Sequence, residues 1–120
     1  MKRIDAFENA IANRVKDLTA EGINPTAFWA YRKSCEAGND LIDFSEVIWD
    51  TDIEAIAETL QNNGITEFTI SSTFSGLIRT LAAFEEQGFT MAGITEVNAS
   101  YTDWATGKLA KVKAIRLHKT

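Results

Sequence analysis

Glu67-Phe68-Thr69-Ile70-Ser71-Ser72-Thr73-Phe74-Ser75-Gly76-Leu77 is the stretch that decides the fold class. Phe68 and Ile70, set among Thr66 and Thr69, make a short β-rich run. Ser71, Ser72 and Thr73 follow at once, with hydroxyls able to cap a helix N-terminus. Phe74, Leu77, Ile78, Leu81 and Phe84 then recur at helical spacing, and Gly88 marks the stop. A strand feeding a capped helix is half of an α/β unit, and ligands gather at such corners. The expectation is a buried central strand at Phe68–Ile70 and a candidate anion site at Ser71, Ser72, Thr73 and Ser75. Glu67, next to that corner, opposes an anion.

Upstream, Ile4, Phe7, Ile11, Val15 and Leu18 predict an amphipathic helix from Ile4 to about Ala20. Asn24-Pro25 reads as N-cap and first residue of a second helix that runs to about Ala37, with Gly38 after it. Phe28, Tyr31 and Cys35 are expected on its inner face, with Trp29 off it. Leu41–Phe44 predicts a short strand. Thr51-x-x-Glu54 matches a capping box for a third helix buried through Ile53, Ile56, Ala57 and Leu60. Downstream, Phe89–Tyr101 and Lys108–His118 read as strands around a Thr102–Gly107 turn, with Gly93 as a bulge or bend.

The order α-α-β-α-β-α-β-β places the chain in the α/β (α+β) class. N-terminal helices precede a mixed sheet of about four strands, closed by a C-terminal antiparallel hairpin with helices packed on the sheet. Strands joined through single helices should run parallel by right-handed crossovers. The 120 residues suit one domain, 1–120, with one core.

Composition narrows the function. Apolar residues at 45% and charged residues at 24% are ordinary for a globular chain. No apolar run is long enough to span a bilayer. Met1-Lys2-Arg3-Ile4-Asp5 is not followed by the apolar stretch of a secretory signal. The lone Cys35 leaves no internal disulfide. Together these features predict a cytoplasmic protein without a membrane segment.

The net charge of −5 is unevenly spread. Ser34–Ile78 contains no Lys or Arg but nine acids, six of them between Asp40 and Glu54. After Asp103 the balance inverts, with Lys108, Lys111, Lys113, Arg116 and Lys119 and no acid. Such segregation can steer a charged partner. The plainer account is acids near helix N-termini and a basic strand guarding a sheet edge.

Chemical motifs are few. No glycine-rich phosphate loop is present. One Cys and one His cannot form a zinc set, and Cys35 reads as a core residue rather than a nucleophile. Asp50-x-Asp52-x-Glu54 starts like a calcium loop, but Ala55 stands where the loop needs glycine. Asp40, Asp43 and Glu46 could approach a magnesium ion, yet no lysine accompanies them as such active sites require. No cofactor, metal or catalytic residue is therefore expected. Tyr101 and Trp104 beside the basic strand could stack on bases, but the overall acidity repels a phosphate backbone.

Trp29-x-Tyr31-x-x-Ser34-x-x-Ala37-Gly38-Asn39-Asp40-x-Ile42-Asp43-Phe44, Glu46–Asp50, Glu67–Ser72 and Tyr101–Trp104 carry a resemblance. The chain resembles, from about Trp29 through Ile115, small uncharacterised accessory proteins of mobile genetic elements. These are carried by plasmids, conjugative elements and phages of Gram-positive gut bacteria. That group has no established activity, so no functional residue transfers. The resemblance implies a cytoplasmic accessory protein of mobile DNA, a setting that includes anti-CRISPR and antirestriction inhibitors of host defence nucleases.

Three readings follow. The first is a non-enzymatic binding protein whose acidic middle occupies the basic nucleic-acid-binding surface of a protein partner. It rests on Asp40, Asp43, Glu46, Asp50, Asp52 and Glu54, with Trp49 as aromatic anchor. The second is a small ligand-binding protein or enzyme at the Ser71–Ser75 corner. The third is a structural protein that forms a homodimer through a β edge.

Overall fold

The computed structural model describes residues 3–120, so the reading of Met1 and Lys2 lies outside the described residues. The helices are α1 (Asp5–Ala12), α2 (Pro25–Glu36), α3 (Ile53–Asn62) and α4 (Leu77–Glu86). The strands are β1 (Asp43–Phe44), β2 (Glu67–Ile70), β3 (Phe89–Asp103) and β4 (Lys108–Lys119). The strands form one mixed sheet in the order β1-β2-β4-β3.

As expected, β2 is central and buried. β1 joins it in parallel, with Asp43 opposite Thr69 and Phe44 opposite Ile70. β4 joins its other side antiparallel, with Leu117 opposite Phe68 and Ile115 opposite Ile70. β3 and β4 form the C-terminal antiparallel pair. The α3 crossover between β1 and β2 is parallel as predicted. β3 also runs with β2, but β4 is inserted between them. The expected basic edge holds for part of the strand: residues 115–118 of β4 lie between two neighbours, whereas the stretch with Lys108, Lys111 and Lys113 pairs with β3 alone, and β3 takes the sheet's outer edge. Gly93 (φ 131) sits at a register shift between β3 and β4, the expected bulge.

One face of the sheet holds the core. Successive strand residues point to opposite faces, so Phe44, Phe68, Ile70 and Leu117 share this side. The Phe68 ring lies 5.4 Å from Phe44, 5.0 Å from Phe84 and 5.2 Å from Phe89 between centroids. Ile53, Ile56 and Leu60 of α3 join the same cluster. A second aromatic group ties α1 to α2: Phe7 sits 5.1 Å from Tyr31 and 5.9 Å from Phe28.

Helix ends explain where the segments stop. Asn24 Oδ1 accepts from the Ala27 N–H at 3.0 Å, and Pro25 follows as first helical residue. The α1 helix stops at Ala12, well short of the expected Ala20. Arg14 takes a left-handed φ of 51, its N–H donates to Ile11 O and that of Val15 donates to Ala10 O. This closure satisfies the last carbonyls without a glycine. Gly38 (φ 73) closes α2 in the same way, with Asn39 N–H donating to Ser34 O at 2.9 Å.

Three local expectations are corrected. The Thr51 capping box does not form: Asp50–Asp52 is a 3-10 turn and α3 starts without a side-chain cap. The Ser71–Thr73 hydroxyls do not cap α4, which begins at Leu77 after Gly76. Cys35 is exposed, and Ser34 is the buried residue of that helix turn. Among the described residues no helix is long and apolar enough to cross a membrane.

Candidate functional site

The alternation that sends Phe44 and Phe68 into the core turns Asp43 and Thr69 to the opposite face. Asp43 is only 6% exposed there. Its Oδ1 accepts from Thr69 Oγ1 and its Oδ2 from Ser71 Oγ, both at 2.6 Å. The Asp43 N–H donates to Ser34 Oγ at 2.8 Å, which fixes the end of α2 against β1.

A second clamp pins the α2 terminus to β3. Asn39 Nδ2 donates to Asn98 O at 3.0 Å, and the Asn98 N–H donates to Asn39 Oδ1 at 2.8 Å. Asn98 Nδ2 donates to Ala37 O at 2.9 Å. Between the clamps lies an open polar groove of about 490 Å³, lined by Ser34, Asn39, Asp43, Ser71, Asn98 and Tyr101 among others. Lys33 and Lys113 also line it. Lys33 pairs with Glu46, and Lys113 pairs with Glu96 at 3.0 Å. The hydrogen bond and charge of Lys113 hold the Glu96 carboxyl below the usual carboxylate range.

Beside it, sharing Lys33, Ser45 and Glu46, is a cleft of about 400 Å³ with aromatic walls. Trp29, Val47 and Trp49 line it, 52%, 45% and 69% exposed. The Arg32 guanidinium lies 5.2 Å from the Trp29 ring centroid, within cation–π range.

The acids singled out from the sequence do not make one uniform patch. Asp40, Glu46, Asp50 and Glu54 are exposed, and Asp52 is half-buried in the 3-10 turn. Glu46 is paired with Lys33, and Asp50 Oδ2 lies 3.0 Å from Arg79 Nη2. Lys33 and Arg79 are the residues bounding the base-free segment, so folding brings its flanks back onto its acids. Asp43 is not part of the exposed surface; it is buried on the polar face of the sheet. Trp49 is exposed beside Glu46, as an anchor requires.

At the Ser71–Ser75 corner, Ser71 donates to a carboxylate and Ser72 is buried, while Thr73 and Ser75 are exposed. Ser71 and Thr73 line the groove. Ser34, Asn39 and Asn98, together with Trp29 and Val47, are site residues that sequence reasoning missed. The Asn39–Asn98 clamp joins residues 59 apart, a separation no local pattern signals. An off-face Trp29 was the one available hint. Among the described residues no three His, Cys, Asp or Glu side chains gather to hold a metal ion.

Fold and site together define a small α+β domain whose sheet has a packed aromatic face and a polar, grooved one. The chain belongs to the DUF7698 family, a domain of unknown function, whose model matches residues 26–119. That span covers nearly all of α2 and every strand, and leaves α1 outside. No curated protein and no solved structure matches the chain.

Proposed function

We propose that this domain is a non-enzymatic protein-binding module that docks through the Trp29–Val47–Trp49 cleft and its acidic rim. The observation that carries the reading is the grouping of three large apolar side chains in solvent around one cleft. Exposed tryptophans in a cleft are the residue type that dominates binding energy at interfaces. Glu46 on the cleft wall and Asp50 after Trp49 are held by the bases Lys33 and Arg79, which a basic partner surface would replace. The resemblance to mobile-element proteins supplies the setting: a cytoplasmic accessory protein that blocks a nuclease of host defence by occupying its nucleic-acid groove.

The test is binding and inhibition across purified CRISPR effector and restriction nucleases, at 50 mM and 500 mM salt. A true partner binds more weakly at high salt, is competed by its own nucleic acid, and is lost to Trp49→Ala. The control reverses Glu85 and Glu86 to Lys on exposed α4 positions away from the cleft. Equal binding by Trp49→Ala and by the control would move the interface elsewhere.

A second reading has one observation of its own. β3 is an edge strand that exposes Met91 and Ile94, which favours self-association along that edge. Sedimentation of the wild-type chain and of Ile94→Lys over a range of concentrations separates the two. A dimer lost to Ile94→Lys but kept in Trp49→Ala selects the edge.

A further inference from the structure

We propose that the polar groove binds the charged end of an alkylammonium or alkylguanidinium group, with Asp43 as its counter-ion. The inference stands apart from the tryptophan cleft, and its test uses no protein partner.

The argument begins with an imbalance. A buried carboxylate needs a cation or several donors to offset its lost hydration. Asp43 has two hydroxyl donors, and among the described residues none of the ion pairs involves it. The other charged side chains on the groove are each in an ion pair: Lys33 with Glu46 on the same wall, and Lys113 with Glu96, which lies outside the lining. Asp43 is therefore the charged side chain on the groove that has no ion-pair partner among the described residues, and it is the most buried of them.

Free acceptor capacity surrounds Asp43. A carboxylate offers about four acceptor sites, of which two are filled here. Ser71, on the groove wall, has given its hydroxyl proton to Asp43, which leaves oxygen lone pairs. Asn98 has given an amide proton to Ala37 O, which leaves its carbonyl oxygen. The acceptors at Asp43, Ser71 and Asn98 suit a ligand that carries several N–H donors and a positive charge. Tyr101, exposed on the groove wall, offers a ring face for the alkyl stem or the cation.

Two sources present this chemistry: an Arg or Lys side chain of another protein, or a small free amine. The probe is ethylguanidinium, with N-ethylurea as its neutral isostere, followed by ¹H–¹⁵N NMR of the full chain. The expected result is saturable shifts at the amides of Asp43, Ser71 and Asn98, at least about tenfold weaker with N-ethylurea. Asp43→Asn keeps the shape and removes the charge, and should weaken ethylguanidinium by a similar factor. If that variant does not fold, the wild-type comparison of charged and neutral probe decides alone.

Nα-acetyl-argininamide and 1,4-diaminobutane then separate the sources. Tighter binding of the first points to a protein side chain, and tighter binding of the second to a free amine. Equal response to N-ethylurea would overturn the proposal. So would shifts confined to exposed acids such as Glu54 and Glu58, which mark only nonspecific attraction to an acidic protein.

Discussion

The two faces of β2 are built from neighbouring residues and carry opposite chemistry. Phe68 and Ile70 point into a cluster of aromatic and aliphatic side chains. Thr69, between them, points to a buried carboxylate that itself lines a groove. Both faces are shielded: Phe68, Thr69 and Ile70 are each at most 1% exposed. What differs is the basis of stability. The aromatic face gains from removing apolar area from water and from ring packing. The polar face gains only as far as each buried group finds its partner. A period of two residues is enough to separate an apolar core face from a polar, grooved one.

Phe68→Ala is the harshest test of that contrast. The side chain is fully buried among three other rings, so its loss should cost about 3–5 kcal/mol. Denaturant unfolding measures it directly. A cost below about 1 kcal/mol would mean that this face collapses to fill the void, and that the core is not organised around β2.

On the other face, Asp43→Ala should cost about 1–3 kcal/mol, because it strands the Thr69 and Ser71 hydroxyls. Asp43→Asn should cost less, since the amide oxygen still accepts one of them. Asp43→Lys should unfold the domain, whereas Glu46→Lys on the exposed rim should not. Equal tolerance of both lysine variants would place Asp43 on the surface after all.

The contrast also explains which features could be read from residues alone. Apolar periodicity is a local signal, and it located β2, the four helices and the C-terminal pair. It overran α1, because Arg14 closes that helix in a conformation usually left to glycine. Hydroxyl-rich corners gave the opposite error. Ser71 could cap a helix or serve a distant carboxylate, and only the parallel pairing of β1 with β2 brings Asp43 to it. The groove is made by contacts between residues 9 to 61 positions apart, none of which leaves a pattern in a short window. The insertion of β4 between β2 and β3 was hidden for the same reason.

Tyr31 offers a middle case, a polar tip on an apolar body. Its hydroxyl donates to Glu8 Oε1 at 2.6 Å and accepts from the Ile4 N–H at 3.4 Å. Burial first, then the bond to Glu8, pushes its pKa well above the ordinary tyrosine value. Above about pH 10 the unfolded chain releases this proton while the folded chain keeps it, so stability falls as pH rises. Below that pH the contribution is fully present. Tyr31→Phe should cost about 1 kcal/mol at neutral pH and flatten the alkaline decline. Melting from pH 8 to 11 checks it. An unchanged alkaline slope in the variant would assign the decline to other groups.

The smallest effects belong to neither face. Glu46–Lys33 and Asp50–Arg79 join a base-free segment to the two bases that bound it. These side chains are 42–81% exposed, so water screens each pair. Glu46→Gln and Asp50→Asn should each change stability by less than about 1 kcal/mol, and 0.5 M salt should erase the difference. Their value lies in separating surface charge from fold. If these variants keep full stability yet lose a basic partner, the rim acts in binding alone. A loss above about 2 kcal/mol that persists in high salt would instead make the pairs part of the fold's own support, since only shielded charges resist screening. The acidic run would then be a structural device that clasps α4 and α2 to the loop between β1 and α3.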